Sequence, residues 1–483
     1  MTARPMRPRP SRHGAWGPHA TKGVRPWRRA IGARTALAAG LIALCCGTAW
    51  AQSSAAGPSG ATGATGPAVR LGQILDMARA TDAQLAAARA AAAAGREKLP
   101  QAQAANLPNV NLTFNPRRNR DGSSTYAGTL PYNAHSAALS VNQALYRPAN
   151  WAGTEQAALQ VQLAEQQLQL AEQDLLLRVA RGYFDVLQAQ DELAAAVAQK
   201  DAMVQQLAQT KRSFEVGTVP VTDFNEAQGR HDLAIAQEIA ARNEVASKQR
   251  VLERYIAAPL PALVRLVENA NIAMIDMPTQ GQLVADAPKT ALQVIAAQTA
   301  LAVAEMEIKR RGAGHFPTLD LVGALRNDKN LNYSQFGGSQ TRQVSIGVEL
   351  SVPIFQGGAV SSRVREALAE RDRAQQELTN AARQATLDAQ QAQLGVQSGS
   401  ALTQALWQAL ISSETQLKST QRGLQVGVRT QVDVLNAEQQ LFVTRKDLAA
   451  ARYKTLISTL QLKAAAGTLT ETDLRVLDAL LRD

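Results

Sequence analysis

The stretch QRGLQVGVRTQVDVLNAEQQL, residues 421–441, has an earlier counterpart in KRSFEVGTVPVTDFNEAQ, residues 211–228. Superposing Gly427 on Gly217 aligns the two copies at an offset of 210 residues (427 minus 217). In each copy a helical pattern stops at Gly, the usual left-handed residue after a helix, and a new pattern begins near Thr or Asp, which are common N-cap residues. Each copy therefore predicts the tip of a long helical hairpin.

The same offset holds elsewhere in the chain, to within one residue. LPNVNLTF at 107–114 matches FPTLDLVG at 316–323, and LSVNQALYRP at 139–148 matches GVELSVPIFQGG at 347–358. Because separate landmarks keep one spacing, we interpret the chain as two internal repeats of about 210 residues, not as a short-period solenoid.

The basic character of the chain comes from its first residues. Of the net charge of +11, nine positive charges lie in residues 1–51, which contain no acidic residue, so the remainder carries +2. An apolar core at 35–48, followed by Ala49 and Ala51 at small-x-small spacing, predicts a signal peptide cleaved after Ala51. Both cysteines lie in this leader, and the charge gives no argument for nucleic-acid binding. The Gly/Ser-rich segment 52–70 predicts a flexible linker.

Four segments alternate between apolar and polar residues as strands do. They are 109–116, 136–146, 318–325 and 343–353, with polar loops expected at 117–133 and 326–342. Strands of 9–11 residues suit a tilted membrane crossing, and aromatic residues gather near these segments, as in the girdles of membrane barrels. By themselves the four strands would also fit a soluble sandwich.

Long helices favour the membrane alternative. The segment 150–214 has no proline and would reach roughly 95–100 Å as a helix, too long for an ordinary globular core. Leu163, Leu170, Leu177 and Phe184 recur every seven residues, which indicates coiled-coil-like packing. The other long helices are predicted at 223–256, 361–424 and 432–466.

These elements define the expected domains: repeat 1 at 71–256, a connector at 257–290, repeat 2 at 291–466 and a C-terminal segment at 467–483. No run of about 18 apolar residues follows the leader, so no membrane-spanning helix is predicted. Four strands cannot close a barrel alone, and an open edge is unfavourable in hydrocarbon, so several copies must close it. Two copies would give eight strands and a filled barrel, whereas three would give twelve strands and a lumen.

Several motifs of both repeats resemble the TolC family of outer-membrane export channels, namely FEVGTVPVTDFNEAQ, VGVRTQVDVLNAEQQLF, ARYKTLISTLQLKAAAGTL and LSVPIFQGG. The resemblance implies a homotrimer in the bacterial outer membrane, with one twelve-stranded barrel, four strands per chain, continued by a periplasmic α-helical tunnel. It also implies a periplasmic adaptor protein and an inner-membrane ABC or proton-driven transporter as partners. Such a duct is passive and carries proteins, small toxic compounds or both.

The resemblance also assigns roles at the hairpin tips. Asp433 would line the periplasmic entrance as an acidic ring, and Asn436 stands where the family has a second aspartate, which softens the expected cation selectivity. Arg429 would form a constriction with contacts to Thr222 and Asp223 across the tip. Leu424 replaces a tyrosine that helps to lock the closed state. Gly217 and Gly427 match the turns that adaptors grip.

The residues leave other interpretations open. Asp223 and Asp433 could serve only as helix caps, with Glu226 completing a capping box at Asp223. A trimeric coiled-coil adhesin or structural envelope protein anchored by a barrel is the main rival function. We find no catalytic motif, no phosphate-binding loop and no histidines at metal-ligand spacing, so neither an enzyme nor a cofactor is expected.

Overall fold

The computed structural model describes residues 68–122, 129–267, 280–334, 337–479 and 481–482. The expected signal peptide, with Ala49 and Ala51, and all but the last three residues of the expected linker lie outside the described residues. All described residues belong to one contact unit, Thr62–Asp483.

Two pairs of long helices dominate the chain, and each pair is an antiparallel hairpin. The helices are α1 Leu71–Thr81, α2 Ala83–Arg96, α3 Lys98–Ala104, α4 Pro148–Glu215, α5 Val221–Ile256, α6 Gln280–Thr290, α7 Leu292–Gly312, α8 Ala359–Gln425, α9 Gln431–Ala465 and α10 Glu471–Asp478. The 68 residues of α4 extend for about 100 Å, as the sequence predicted. Pro148 occupies the first turn of α4, where its missing N–H removes no helical hydrogen bond.

The Ala-rich segment with which repeat 1 begins is helical, and it forms the three helices α1, α2 and α3. Asp82 interrupts it, because its backbone is extended and its Oδ1 accepts a hydrogen bond of 2.7 Å from the Leu85 N–H, which caps α2. Arg178 of α4 forms an ion pair with Asp82 at 3.2 Å. Hydrogen bonds from Leu85 and Arg178 hold the pKa of Asp82 below its usual value, although burial opposes them.

The strands form one antiparallel four-stranded sheet of order β1-β2-β4-β5 and a two-stranded pair, β3 with β6. Their bounds are β1 Asn109–Gly122, β2 Thr129–Tyr146, β3 Arg265–Leu266, β4 Thr318–Ser334, β5 Gly337–Ser351 and β6 Leu481–Arg482. The central β2–β4 pairing joins the two repeats. Within the described residues, β1 and β5 each pair on one side only.

The expected loops 117–133 and 326–342 are wrong over most of their length. The strands continue through them, with Arg117 opposite Ala134 and Asn330 opposite Ser339. The sequence there is polar on both faces, so side-chain alternation does not reveal a strand, and pairing with the neighbouring strand maintains the extended backbone.

The largest hydrophobic core lies where α1, α4, α9 and α10 meet the segment before β3. Tyr183 is fully buried there, and its hydroxyl donates a hydrogen bond of 2.8 Å to the Val264 carbonyl. Burial raises the pKa of Tyr183. The β3–β6 pair brings the C-terminal residues of the chain to the same core, so that the middle and the end of the sequence support one junction.

One helical stretch of the described chain, Gln280–His315, is long and apolar enough for a membrane span by length and composition. The sequence analysis predicted no such stretch. Its apolar character comes from Ala, Val and Leu, and α7, which forms most of it, packs along α4 and α8. Gln156 of α4 donates a hydrogen bond of 2.9 Å to Glu307 of α7. We therefore group α7 with the long helices α4 and α8.

Candidate channel wall and entrance

One face of the four-stranded sheet carries apolar residues in register across all four strands. Residues directly opposite one another on neighbouring strands project to the same face of a sheet, and we refer to such a set as a row. Leu112, Leu139, Leu325 and Val344 form one row by their pairing. All four are exposed in the isolated chain, Leu112 to 75% and Val344 to 78%.

The opposite face of the sheet is polar. The intervening residues of β1 are Asn109, Asn111, Thr113 and Asn115, and the corresponding residues of β5 include Gln343, Ser345 and Glu349. An apolar outer face with a polar inner face is the pattern of a membrane β-barrel that encloses water. This sheet is the membrane wall of the candidate channel.

Both hairpin tips end their first helix in the same way. Gly217 and Gly427 have φ values of +74° and +78°, in the left-handed region that glycine tolerates. The Gly427 N–H donates to Leu424 O at 3.0 Å and the Val428 N–H donates to Gly423 O at 2.9 Å, which is a Schellman motif. The tip containing Gly217 repeats these two bonds at the end of α4.

Asp433 lies in the first turn of α9 and belongs to a capping box. Thr430 is the N-cap, its Oγ1 accepts from the Asp433 N–H at 3.3 Å, and Asp433 Oδ2 accepts from the Thr430 N–H at 2.9 Å. The bond from the Thr430 backbone is the largest cause that lowers the pKa of Asp433, so its carboxylate is ionised at neutral pH. The negative charge is therefore fixed in position at the tip.

The expected capping box at Asp223 is wrong. Pro220 is the N-cap residue of α5 and makes no side-chain cap, while Asp223 lies in the first turn. Asp223 Oδ1 accepts from the Thr222 hydroxyl at 3.3 Å. Glu226 Oε1 accepts a hydrogen bond from Arg230 Nη2 at 2.8 Å, whereas a capping box would require a bond to a backbone N–H. Proline has no N–H to donate and no side-chain acceptor, so the tips cap their second helices differently.

Arg230 is a tip residue that the sequence analysis missed. Its Nη2 donates to Asn436 Oδ1 at 2.9 Å and to Glu226 Oε1 at 2.8 Å, which links α5 to α9 near the hairpin tips. The only sequence signal is the i, i+4 spacing of Glu226 and Arg230. Asn436 thus stands beside a guanidinium group that is itself paired with Glu226.

The predicted contact between Arg429 and the pair Thr222 and Asp223 is not present within the described part of one chain. The Arg429 N–H donates to Gly423 O at 3.2 Å, so its backbone belongs to the tip turn. Among the described residues, neither Thr222 nor Asp223 forms a hydrogen bond or an ion pair with Arg429. Leu424 lines a cavity of about 470 Å³ between α4, α8 and α9.

A half-buried carboxyl group, Glu438, lines the same cavity. Its Oε2 and the Nε2 of Gln206, on the facing helix α4, are buried atoms with no hydrogen-bond partner. Burial raises the pKa of Glu438. Arg445, also in the lining, is paired at 3.0 Å with Glu414.

Comparison with known proteins agrees with this architecture. The family described as outer membrane efflux protein matches residues 74–258 and 283–468. The chain is 33% identical over 417 residues to the outer membrane protein TolC of Vibrio cholerae serotype O1, covering 86% of this chain and 94% of the relative. It is 29% identical over 434 residues to the proteases secretion protein PrtF of Dickeya chrysanthemi, covering 86% and 92%.

Solved structures share the fold. The CmeC outer membrane channel of Campylobacter jejuni superposes with a TM-score of 0.73 at 14% identity, over 85% of this chain and 89% of that chain. Within the described residues, no group of three metal-ligating side chains could hold a metal ion. The two matched segments coincide with the two helix–strand–helix repeats of the fold, and the chain belongs to the outer membrane efflux protein family.

Proposed function

We propose that three copies of this chain form a passive exit duct through the bacterial outer membrane, with the long helices as a tunnel in the periplasm. The observation that carries the proposal is the one-sided apolar sheet, whose strands β1 and β5 each have an unpaired edge in the described single chain. An unpaired strand edge is unfavourable in hydrocarbon because its N–H and C=O groups find no water. Pairing β5 of one copy with β1 of the next removes every edge.

Three is the number of copies that the strand count favours. Two copies would give eight strands, whose interior is filled by side chains. Three copies give twelve strands and leave a lumen, which the polar inner face of this sheet would line. Family membership supports the same assembly.

The tips support docking of a partner at the periplasmic end. Val216, Val426 and Val428 are exposed to 74%, 73% and 75% at the two turns, although apolar side chains usually avoid such positions. We propose that a periplasmic adaptor protein binds the turns at Gly217 and Gly427, and that it connects the duct to an inner-membrane ABC or proton-driven transporter. The transporter supplies the energy, and the duct itself performs no enzymatic reaction.

The relatives indicate only the class of molecule that such a duct carries. The family description refers to efflux, and PrtF is described by its secretion of proteases. We propose that the duct carries proteins, small toxic compounds or both, and that the inner-membrane partner selects among them.

The test is single-channel conductance in a planar bilayer, combined with the mass of the purified assembly. The duct predicts the mass of three mature chains and a small, stable, cation-preferring conductance. A trimer that inserts into the membrane and never conducts, even after the tips are loosened by Thr430→Ala, would contradict the proposal and would favour an adhesin.

A further inference from the structure

Four cationic residues continue the apolar outer face of the sheet away from the helices. They are Arg118 and Arg120 on β1, Lys329 on β4 and Arg342 on β5, and all four are exposed. Among the residues that the structure describes, none of the four side chains forms an ion pair. They lie at the end of the strands that is farther from the helices, because α4 and α8 begin just after the opposite ends of β2 and β5.

The strand register places these cations on the apolar face. Lys329 is opposite His135, which is opposite Pro116. Pro116 is two residues from Phe114 and two from Arg118, so the three share one face of β1. Arg342 belongs to the row of Phe114 through Asn327 and Ala137.

Carboxylates are confined to the opposite face. At the described strand positions of β4 and β5, the acidic side chains are Asp320, Asp328 and Glu349, which alternate with the apolar row residues. Arg117 and Arg326 also lie on this inner face, at positions next to outward-facing residues of the same strands. The outer face therefore has positive charge without compensating negative charge, whereas the inner face has both.

The outward cations do not lie in one row but follow an oblique line. Between Arg118 on β1 and Arg342 on β5, the line shifts by four residues along the strands, which is about 13 Å. Over the same interval it crosses three strand spacings, which is about 14 Å. Lys329 lies on the intermediate row. The line is inclined to the rows by about 40°, the angle by which strands of outer-membrane barrels tilt.

The lower limit of the apolar band is displaced in the same direction. On β1 the apolar band begins at Val110. On β5 it extends to Leu350, which lies two outward-facing rows closer to the helices than the row of Val110. A flat membrane surface cuts tilted strands along such an oblique line. Arg118, Lys329 and Arg342 are thus at one depth, immediately beyond the hydrocarbon, and Arg120 is about 7 Å farther along β1.

We propose that these four residues form a belt that binds the anionic, phosphate-bearing headgroups of lipids in the outer leaflet. The inference depends on the proposed membrane location of the sheet. The occupant follows from charge and position: cations that border an apolar surface meet headgroups, and Arg binds phosphate oxygens through two parallel N–H bonds. When several copies of the chain close the barrel, each copy contributes the same four residues to the belt.

The test is native mass spectrometry of the purified, detergent-solubilised assembly with dioleoylphosphatidic acid or dioleoylphosphatidylcholine. The pair Arg118→Gln and Arg342→Gln should weaken phosphatidic acid binding about 25-fold, at about fivefold for each cation near an anionic surface. The matched control, Arg117→Gln with Arg326→Gln, removes two positive charges from the inner face and should leave lipid binding unchanged. Phosphatidylcholine binding should be similar in all three proteins.

The proposal would be overturned if both variant pairs lost phosphatidic acid binding equally. It would also be overturned if the pair Arg118→Gln and Arg342→Gln lost none. Displacement of the lipid by the same concentration of inorganic phosphate would also overturn it, because a free-phosphate site needs no lipid. If the outer variant fails to assemble, the wild type still tests the proposal: added salt must weaken phosphatidic acid binding more than phosphatidylcholine binding. Conductance is measured separately, so a non-conducting assembly that binds the lipid contradicts only the duct.

Discussion

Arg147 and Asp320 form a two-bond ion pair, with Nε–Oδ1 and Nη2–Oδ2 distances of 2.9 and 2.7 Å. Arg147 is the residue between β2 and α4, while Asp320 is in β4 of the other repeat and only 7% exposed. The pair thus fixes the corner at which the membrane sheet becomes the helical tunnel.

Replacing Arg147 by Gln should weaken this corner. It leaves the Asp320 carboxylate buried without its partner, which costs about 1–3 kcal/mol because Arg147 is partly exposed and water screens the charge. The temperature at which the assembled protein dissociates should fall. Arg326→Gln is the control, since it removes the more exposed partner of Asp328 on the same strand. An equal fall in both variants would contradict a special role for the corner.

The charge of Asp433 can be separated from its capping bond. Asp433→Asn keeps an oxygen that accepts from the Thr430 N–H, whereas Asp433→Ala removes both bond and charge. If Asp433 lines the entrance, both variants should lose cation preference, measured by the reversal potential under a salt gradient. Only Asp433→Ala should also lower the melting temperature. Unchanged ion selectivity in both variants would show that Asp433 acts only as a helix cap.

Gly427 and Gly229 provide a matched pair of glycines. A Cβ added at either position meets no atom within 4 Å, and only Gly427 has a positive φ. Gly427→Ala should destabilise the tip by about 1–2 kcal/mol through left-handed strain. Gly229→Ala should stabilise α5 by up to about 1 kcal/mol through helix propensity. Thermal melting and export assays compare the two, and a gain of stability at Gly427 would disprove the strained cap.

Burial of the Glu438 carboxyl group predicts that the stability of the helices around its cavity depends on pH. Because burial raises its pKa in the folded state, its carboxyl group is destabilising when ionised and harmless when protonated. The destabilisation appears as pH rises through the unfolded pKa and is complete above the folded pKa. Glu438→Gln should therefore raise the melting temperature at neutral pH and have little effect at acidic pH.

The control for Glu438 is Glu414→Gln, because the partner of Glu414, Arg445, lines the same cavity as Glu438. Glu414 is paired with Arg445, so its removal should lower stability at neutral pH, the opposite sign. A Glu438→Gln variant that melts below the wild type at neutral pH would show that the carboxylate has a partner that offsets its burial, such as a residue of a neighbouring copy.

The sequence by itself determined the repeats, the four long helices, the four strands and the left-handed turns at Gly217 and Gly427. These features depend on local physics: helical and strand periodicity, chain-breaking residues and the conformational freedom of glycine. The positions of Asp433 and Asn436 at a helix start also followed from local patterns.

Tertiary structure decided where elements end and which side chains meet. The strands extend through 117–122 and 326–334 because neighbouring strands supply their hydrogen bonds, a contribution that polar sequence does not reveal. Arg230 reaches Asn436 across 206 residues of sequence, and the oblique line from Arg118 to Arg342 exists only once the register is known. Such contacts join residues far apart in the chain, so only the folded arrangement of all four strands and both hairpins fixes them.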